Sequence, residues 1–314
     1  MANRIGRIIF IGTPEFAIPS ILSLINNKRP VLIITRPDRK KGRGQKLSCT
    51  PVKEIAMQYN IPVFQPENIN SEHSLDRIKD ANPDLIVTVA FGSFLKNRLL
   101  SIPRYGCISL HPSLLPKYRG PSPINWAIFN GEKETGNTIF FINRRMDAGD
   151  IIFQRSIEIT NEDNFGTLSE KLSKQGAKDL LYAISLIEED NYQPIPQQEE
   201  EATFSHLITE QVRAIKWENS AERIYNQIRG LAPKPCAFAK IRKEKIKIIS
   251  AEIGNPDTYG TAGEIARIVK HKGIEVYCGV GSIIITKLQP TGKRVMSAIE
   301  FNNGAHLKIG EFFD

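Results

Sequence analysis

The first half of this chain alternates short, uniformly apolar runs with segments that have helical spacing. The apolar runs are Ile8–Ile11, Val31–Ile34, Leu85–Ala90 and Cys107–Leu110. The helical segments between them are Phe16–Asn26, Pro51–Tyr59 and Ser71–Ala81. Parallel strands that are buried on both faces show such unbroken apolar runs. The alternation therefore predicts an α/β fold with a doubly wound parallel sheet, whose active site lies beyond the carboxyl ends of the strands.

A change of pattern separates this region from the rest of the chain. Two more strands are predicted at Thr138–Ile142 and Ile151–Ile159, and a long helix at Thr167–Glu189. The segment Asn191–Glu210 contains two prolines and an acidic run, which predicts a linker or an extended crossover. The predicted boundaries are a first domain at 1–190, a linker at 191–210 and a second domain at 211–314.

The second domain is predicted to be a small barrel. A helix is expected at Ala221–Leu231. Short β-rich runs follow at Ala237–Ile241, Lys245–Ala251, Gly263–Val269, Ile274–Cys278 and Ser282–Leu288. This domain also carries most of the positive charge, because 211–314 holds 17 basic and 10 acidic residues of a chain with net charge +8. Such a domain suggests a polyanionic partner, usually nucleic acid, although an ordinary basic surface fits the charge about as well.

The cysteines and the hydrophobic profile predict a cytoplasmic protein without a metal site. The four cysteines have no C-x-x-C spacing, which is typical of reduced thiols rather than of disulfides or zinc ligands. No apolar run approaches ~18 residues, so no membrane span is expected. The first residues run directly into a predicted strand and leave no room for a cleavable signal segment.

A single histidine emerges at the end of the fourth predicted core strand. His111 lies between that strand and a segment rich in proline and glycine. A histidine there can exchange protons near neutral pH or donate a hydrogen bond to a developing oxyanion. Asp147, within Met146–Ile151, can orient such an imidazole. Taken alone, each has a plainer interpretation: a structural strand-end histidine and an Asx-capped turn.

Together, two segments resemble the signature of the folate-dependent formyltransferase superfamily. They are HPSLLPKYRGPSPINWAI, which starts at His111, and MDAGDI, which starts at Met146. Four further segments resemble the methionyl-tRNA branch of that superfamily: Phe10–Ala17, Thr35–Lys53, Ile228–Phe238 and Leu288–Met296. The resemblance implies a Rossmann-like catalytic domain followed by an OB-like β-barrel domain that binds tRNA.

The reaction that this resemblance implies moves a formyl group from 10-formyltetrahydrofolate to the amino group of initiator methionyl-tRNA. In the family pattern, His111 donates to the formyl oxygen, and Asp147 supports it and helps to remove the amine proton. No metal is required. The family has an asparagine two residues before the histidine, where this chain has Ser109. Serine is shorter, so two interpretations stay open: the site has adjusted to Ser109, or its turnover is lower.

The resemblance also assigns residues to the two substrates. The folate is expected along Ser113, Leu114, Leu115 and Pro116, with its pterin at the strand end that carries Val89 and Phe91. The loop Thr35–Lys53 has seven basic residues and one acidic residue, and in the family it approaches the acceptor end of the tRNA. The candidate tRNA-binding residues are Arg36, Arg39, Lys40, Lys41, Arg43 and Lys46. A disordered charged loop is the plainer interpretation.

Two rival functions fit parts of this pattern. The first is another enzyme of the superfamily, such as a sugar-amine formyltransferase or a folate hydrolase. The basic loop and the basic second domain disfavour these two enzymes, because neither acts on a long polyanion. The second is a nucleic-acid-binding protein that has lost catalysis, which only Ser109 favours. The expected partners are therefore initiator methionyl-tRNA and the folate. We expect a monomer, because no strong apolar interface stripe is visible.

Overall fold

The computed structural model describes residues 5–28, 30–41 and 46–314, except for the side chains of Lys41 and Lys46. The chain divides into two compact units. Unit 1 consists of Met1–Pro123, Glu134–Glu158 and Ser169–Ser205. Unit 2 consists of Ile124–Lys133, Ile159–Leu168 and His206–Asp314. Each unit has its own buried apolar core.

A seven-stranded sheet forms the centre of unit 1. The strands of this unit are β1 (Ile8–Gly12), β2 (Leu32–Ile34), β3 (Arg39–Lys41), β4 (Lys46–Ser48), β5 (Val63–Phe64), β6 (Leu85–Val89), β7 (Cys107–His111), β8 (Glu134–Phe141) and β9 (Ile151–Glu158). The large sheet has the order β5-β2-β1-β6-β7-β8-β9, and β3 and β4 form a separate hairpin. Because the chain moves outward in both directions from β1, the predicted doubly wound α/β fold is confirmed.

Helices cover both faces of this sheet. In chain order, the α-helices up to residue 188 are α1 (Ile18–Lys28), α2 (Pro51–Gln58), α3 (Glu72–Asp80), α4 (Asn97–Leu100), α5 (Pro123–Phe129) and α6 (Phe165–Glu188). Of these, α5 belongs to unit 2 except for its first residue, and α6 begins in unit 2 and continues in unit 1. The core on one face includes residues of α1, α2 and α6, and the core on the other face includes residues of α3 and α4. The Thr50 hydroxyl accepts from the Lys53 backbone N–H, 3.2 Å away, and so caps the start of α2.

The sheet is parallel from β5 to β7 only. Strand β8 is antiparallel to β7, and β9 is antiparallel to β8. The apolar pattern predicted both strands but not their direction, since burial on two faces gives the same pattern in either orientation. The register pairs Ile108 with Phe141, so β8 ends beside the start of β7 rather than beside His111.

The core of unit 2 is an antiparallel sheet. Its elements are α7 (Glu210–Arg213), α8 (Ala221–Leu231), β10 (Ala237–Ile241), β11 (Glu244–Ile253), β12 (Ile265–Val269), β13 (Gly273–Tyr277), β14 (Ser282–Pro290), β15 (Met296–Ser297) and α9 (Ala298–Ala305). The strand order is β10-β11-β14-β13-β12. Phe313 bridges Ile241 at one edge, and Phe312 bridges Glu264 beside the other edge. The C-terminal residues thus close the sheet, as the predicted OB-like barrel requires.

The segment between the two predicted domains is ordered and extended. Within unit 1, Ile195 forms a bridge with Ile151, and Phe204 forms one with Arg119. A single 3₁₀ turn, Glu199–Glu201, interrupts the segment. The prolines and acidic residues of this stretch therefore mark an extended crossover packed on unit 1, the second of the two structures that they predicted.

A substitution at Gly136 tests the close packing of β8, and one at Gly304 in α9 is its control. A Cβ at Gly136 would lie 2.1 Å from the carbonyl oxygen of Arg155 on β9. We expect Gly136→Ala to lower the free energy of unfolding of unit 1 by about 1–3 kcal/mol, because backbone atoms must move. Gly304, in α9, has no neighbour within 4 Å of such a Cβ, so Gly304→Ala should be stabilising, by up to about 1 kcal/mol. Denaturant unfolding measures both, and equal effects would contradict this packing.

Candidate functional site

His111 is the last residue of β7 and is buried there. Its Nε2 atom lies 3.0 Å from the carbonyl oxygen of Tyr118. A carbonyl oxygen can only accept, so the hydrogen-bond geometry assigns a hydrogen to Nε2. Nδ1 is therefore the nitrogen that is left to face the rest of the site.

The group that Nδ1 faces is the carboxylate of Asp147. Asp147 Oδ2 lies 3.7 Å from His111 Nδ1. The same oxygen accepts a hydrogen bond of 2.8 Å from the backbone N–H of Gly120. The histidine and aspartate that the two sequence segments supply are thus brought together, with one backbone donor that fixes the carboxylate. At 3.7 Å the pair forms an ion pair when the imidazole is protonated, not a direct hydrogen bond.

The connection between β8 and β9 folds back to reach the histidine. Ile142, just after β8, donates its N–H to the carbonyl of Cys107 at the start of β7. Asp147 itself adopts a left-handed backbone conformation, with φ of 49°, which aspartate tolerates better than most residues. The side-chain amide of Gln197 donates to the carbonyl of Asp147, at 2.9 Å, and to that of Gly149, at 2.7 Å. Gln197 therefore holds the turn that presents the carboxylate.

A buried arginine orients Gln197. Arg119 is only 2% exposed, and its Nε and Nη2 atoms donate to Gln197 Oε1 at 3.0 and 2.9 Å. Its guanidinium also pairs with Glu199 at 2.9 Å, and this hydrogen bond keeps the pKa of Glu199 below its ordinary value. A buried cation is costly unless its donors are used, and here most of them are. Arg119 and Gln197 are positioning residues that the sequence did not reveal.

Backbone hydrogen bonds tie the same two segments together. Arg119 donates its N–H to the carbonyl of Thr203 at 2.9 Å, and Ser205 donates to the carbonyl of Arg119 at 2.7 Å. Gly120 has φ of 113°, and a Cβ on it would lie 2.6 Å from the Ser205 carbonyl oxygen. Glycine is therefore required at the residue whose N–H binds Asp147. Gly120 is the last letter of YRG in the segment that starts at His111. The residue that it packs against, Ser205, lies about eighty residues further along the chain.

Ser109 lies on the face of β7 that also carries His111, two residues further on. It is half-buried, and its register partner on β6 is Thr88. The Thr88 hydroxyl oxygen is buried and has no hydrogen-bond partner among the described residues. Buried hydroxyls are nearly always paired, so this one is an unusual feature beside the catalytic candidates. The sequence alone does not mark Thr88 as a site residue, because a threonine in a core strand is common.

The residues expected to bind the folate fall into two groups. Leu115 and Pro116 line a cavity of about 440 Å³ together with residues of β9 and of the segment 195–201. Val89 ends β6, and Phe91 follows it, both buried; neither lines that cavity, and nor do His111 and Asp147. The Ser113 hydroxyl donates to the Lys117 carbonyl at 2.6 Å, which shapes the turn that contains Leu114. The cavity at Leu115 and Pro116 therefore contains only one of the two groups.

The basic loop is partly regular. Arg39–Lys41 pairs with Lys46–Ser48 as the antiparallel hairpin β3–β4, within the segment that the sequence predicted as a flexible basic loop. Arg39 and Lys40 are exposed. Arg36 is half-buried, and its guanidinium donates to the backbone at Phe91 and Gly92. Arg43 lies outside the described residues, as do the side chains of Lys41 and Lys46.

The ends of this loop are joined by side chains, which explains the hairpin. The hydroxyls of Thr35 and Thr50 are 2.9 Å apart, and Lys53 pairs with Asp38 at 2.6 Å. The Lys53 hydrogen bond lowers the pKa of Asp38, and the carboxylate in turn raises the pKa of Lys53. Both pairs draw the chain on either side of the hairpin together. Neither pair is visible in the local spacing of basic residues.

The part of the chain that the structure describes contains no group of three or more His, Cys, Asp or Glu side chains placed to hold a metal ion. None of its helices is both long enough and apolar enough to cross a membrane.

Comparison with known proteins identifies the family. The family described as formyl transferase matches residues 6–184, and its C-terminal domain matches residues 207–306. The chain therefore belongs to the formyl transferase family. A protein of Aquifex aeolicus, HypX, whose structure contains tetrahydrofolic acid, has the same fold with a TM-score of 0.64 and 16% identity. That alignment covers 97% of this chain and 48% of HypX, so the chain spans about half of its length.

Two sequence relatives place the chain within this family. A methionyl-tRNA formyltransferase of Enterococcus faecalis is 43% identical over 307 residues, which cover 97% of this chain and 98% of the relative. One of Acetivibrio thermocellus is 41% identical, with the same shares covered. Within the formyl transferase family, the chain thus groups with the methionyl-tRNA formyltransferases, as its sequence segments predicted.

The role of Gln197 can be tested by substitution. Gln197→Ala removes both hydrogen bonds that hold the turn at Asp147, so the carboxylate is no longer fixed. We expect kcat for formyl transfer to fall by about 10–100-fold, because small displacements of a reacting group are costly. Gln58 is exposed on α2, makes none of these contacts and does not line the cavity at Leu115 and Pro116, so Gln58→Ala is the matched control. Similar steady-state kinetics for both variants would contradict the role of Gln197.

Proposed function

We propose that this enzyme transfers the formyl group of 10-formyltetrahydrofolate to the amino group of initiator methionyl-tRNA. The products are formylmethionyl-tRNA, for translation initiation, and tetrahydrofolate. The observation that carries this proposal is the identity of 41–43% over 97% of the chain to proteins named methionyl-tRNA formyltransferase. The pairing of His111 with Asp147 at 3.7 Å supports it, since both are the residues that the reaction needs.

His111 acts on the formyl oxygen in this proposal. The neutral amine attacks the formyl carbon, a new C–N bond forms, and negative charge grows on the formyl oxygen. A protonated His111 donates from Nε2 to the Tyr118 carbonyl and has its Nδ1–H free for that oxygen. Asp147 stabilises the imidazolium and takes part in removing the amine proton. The bond between the formyl carbon and N10 of the folate then breaks, and the proton ends on N10.

The folate is proposed to lie between the strand ends and the segment after His111. Val89 and Phe91 are buried in the apolar cores at the end of β6, so the pterin is proposed to meet the backbone donors and acceptors of this strand end. Leu115 and Pro116 offer apolar surface in the cavity beside β9, which suits the remainder of the folate. Ser113 and Leu114 shape the turn between them. The tetrahydrofolic acid in HypX, which shares this fold, supports a folate as the formyl donor.

The tRNA is proposed to meet the basic hairpin and unit 2. Arg39 and Lys40 are exposed on β3 and can contact phosphates, and Lys41, Arg43 and Lys46 continue the same basic run. In this view the first domain carries the chemistry and the basic second domain binds the polyanion. We propose that the enzyme acts as a monomer in the cytoplasm, where charged tRNA and reduced folates occur.

The central test is a direct transfer assay. The protein is incubated with 10-formyltetrahydrofolate and with initiator or elongator methionyl-tRNA, and formylated amine is measured. We expect transfer to the initiator, and loss of transfer by at least about 100-fold in His111→Ala, since an oxyanion donor is removed. Absence of transfer by the wild-type protein would refute the proposed function, and a His111→Ala variant of normal turnover would refute the catalytic role.

A second test distinguishes the two interpretations of Ser109. If the serine makes the site slower, Ser109→Asn restores the longer donor and raises kcat, by up to about 100-fold. If the site has adjusted to Ser109, the same change lowers kcat. In that case the neighbouring Thr88 hydroxyl is part of the adjustment, so Thr88→Val also lowers kcat. Thr135, another buried threonine whose hydroxyl has no described partner, supplies the matched control Thr135→Val.

A further inference from the structure

The Arg36 side chain is held by a turn that follows β6. Its Nε atom donates to the carbonyl of Phe91 at 2.9 Å. Its Nη2 atom donates to the carbonyl of Gly92 and to the hydroxyl of Ser93, the latter at 3.2 Å. The guanidinium also lies 6.0 Å from the centroid of the Phe91 ring. One planar group thus contacts three consecutive residues, a geometry that arginine provides and lysine does not.

This turn has an unusual backbone that needs such support. Gly92 has φ of 71°, and Ala90, just after β6, has φ of 49°. A residue with a Cβ rarely adopts the left-handed conformation of Ala90, and such residues persist only where their surroundings enforce them. A Cβ on Gly92 would lie 3.2 Å from Arg36 Nη2, so the side chain packs directly on the turn.

Hydrogen bonds also hold the backbone of Arg36, so the side chain extends from a fixed position. Gln65 donates from Nε2 to the carbonyl of Arg36 at 2.7 Å and to Asp38 Oδ1 at 2.8 Å. Asp38 pairs with Lys53 at 2.6 Å, and the Arg36 N–H donates to the Thr13 hydroxyl at 3.4 Å. Arg36 therefore connects the root of the basic hairpin with the ends of β1 and β6.

We propose that Arg36 is a positioning residue that shapes the Phe91–Ser93 turn for the folate, rather than a residue that contacts tRNA phosphates. The proposal rests on the proposed function, which places the pterin at the end of β6. It follows from the use of the guanidinium donors, since the turn engages Nε and Nη2 and leaves only the Nη1 group for a phosphate. It also makes the folate site and the hairpin two parts of one structure, joined through Arg36.

The variant Arg36→Lys tests this assignment because it keeps the charge and removes the planar contact with three residues. Tetrahydrofolate is titrated into the free protein, and steady-state kinetics are measured with each substrate. We expect the dissociation constant for tetrahydrofolate and the KM for 10-formyltetrahydrofolate to rise by at least about tenfold, because charge-assisted hydrogen bonds are lost. The KM for tRNA and its dependence on salt should stay as in the wild-type protein.

Arg39→Ala is the matched control, since Arg39 is exposed in the same loop. It should raise the KM for tRNA and reduce the slope of its salt dependence by about one charge, with the folate constants unchanged. If Arg36→Lys instead behaves like Arg39→Ala, Arg36 contacts phosphate and the proposal is wrong. Unchanged folate constants in both Arg36→Lys and Arg36→Gln would also overturn it.

Hydrogen exchange of the backbone amides of residues 90–94 gives a readout that needs no substrate. We expect faster exchange there in Arg36→Lys and Arg36→Gln, with unchanged exchange in the core strands as the control for folding. If the wild-type protein failed to transfer formyl groups, the proposed function would fall. The exchange rates would still decide whether Arg36 holds the turn, and identical rates in variants and wild type would overturn that role.

Discussion

The contact on which the site depends is the hydrogen bond from the Gly120 backbone to the Asp147 carboxylate. It joins the segment after β7 to the connection between β8 and β9, and it points Oδ2 at His111. Both segments follow the carboxyl ends of their strands. Because β8 is antiparallel to β7, these two ends lie at opposite ends of the strand pair. The strand register alone does not place the carboxylate beside the imidazole. The Gly120 N–H holds the carboxylate there, and the Gln197 amide holds its backbone.

The extended segment 191–205 of unit 1 keeps this contact in place. Residues 203–205 form backbone hydrogen bonds with Arg119, next to Gly120, and Gln197 binds the turn at Asp147 from the other side. Arg119 lies between them, buried, with its charge matched by Glu199. A segment whose composition suggests a linker is therefore part of the candidate site. This explains how the geometry at His111 and Asp147 can depend on residues that are distant from both in the sequence.

Local patterns in the sequence predicted many of the elements, and the family resemblance added His111 and Asp147 as the candidate catalytic pair. The helix at Ala221–Leu231 and the strand at Ala237–Ile241 have the predicted bounds, and His111 ends its strand as expected. Apolar spacing and strand-end polar residues are short-range features, which a sequence displays directly. Predicted ends elsewhere differ by a few residues, as at β8, which begins at Glu134 rather than Thr138.

The features that the sequence could not supply are contacts between distant segments. Arg119 and Gln197 are 78 positions apart, and Arg36 and Phe91 are 55 apart. Basic residues look alike in a sequence, so Arg36 was grouped with Arg39 although their side chains have different surroundings. The antiparallel direction of β8 and the unpaired hydroxyl of Thr88 depend on register, which spacing alone does not encode.

The most direct measurement is a crystal structure of the protein with 5-formyltetrahydrofolate, a stable relative of the formyl donor. The account predicts the pterin beside Val89 and Phe91, and the formyl oxygen within about 3.5 Å of His111 Nδ1. A folate bound elsewhere, or a formyl group that His111 cannot reach while Asp147 keeps its bond to Gly120, would contradict it.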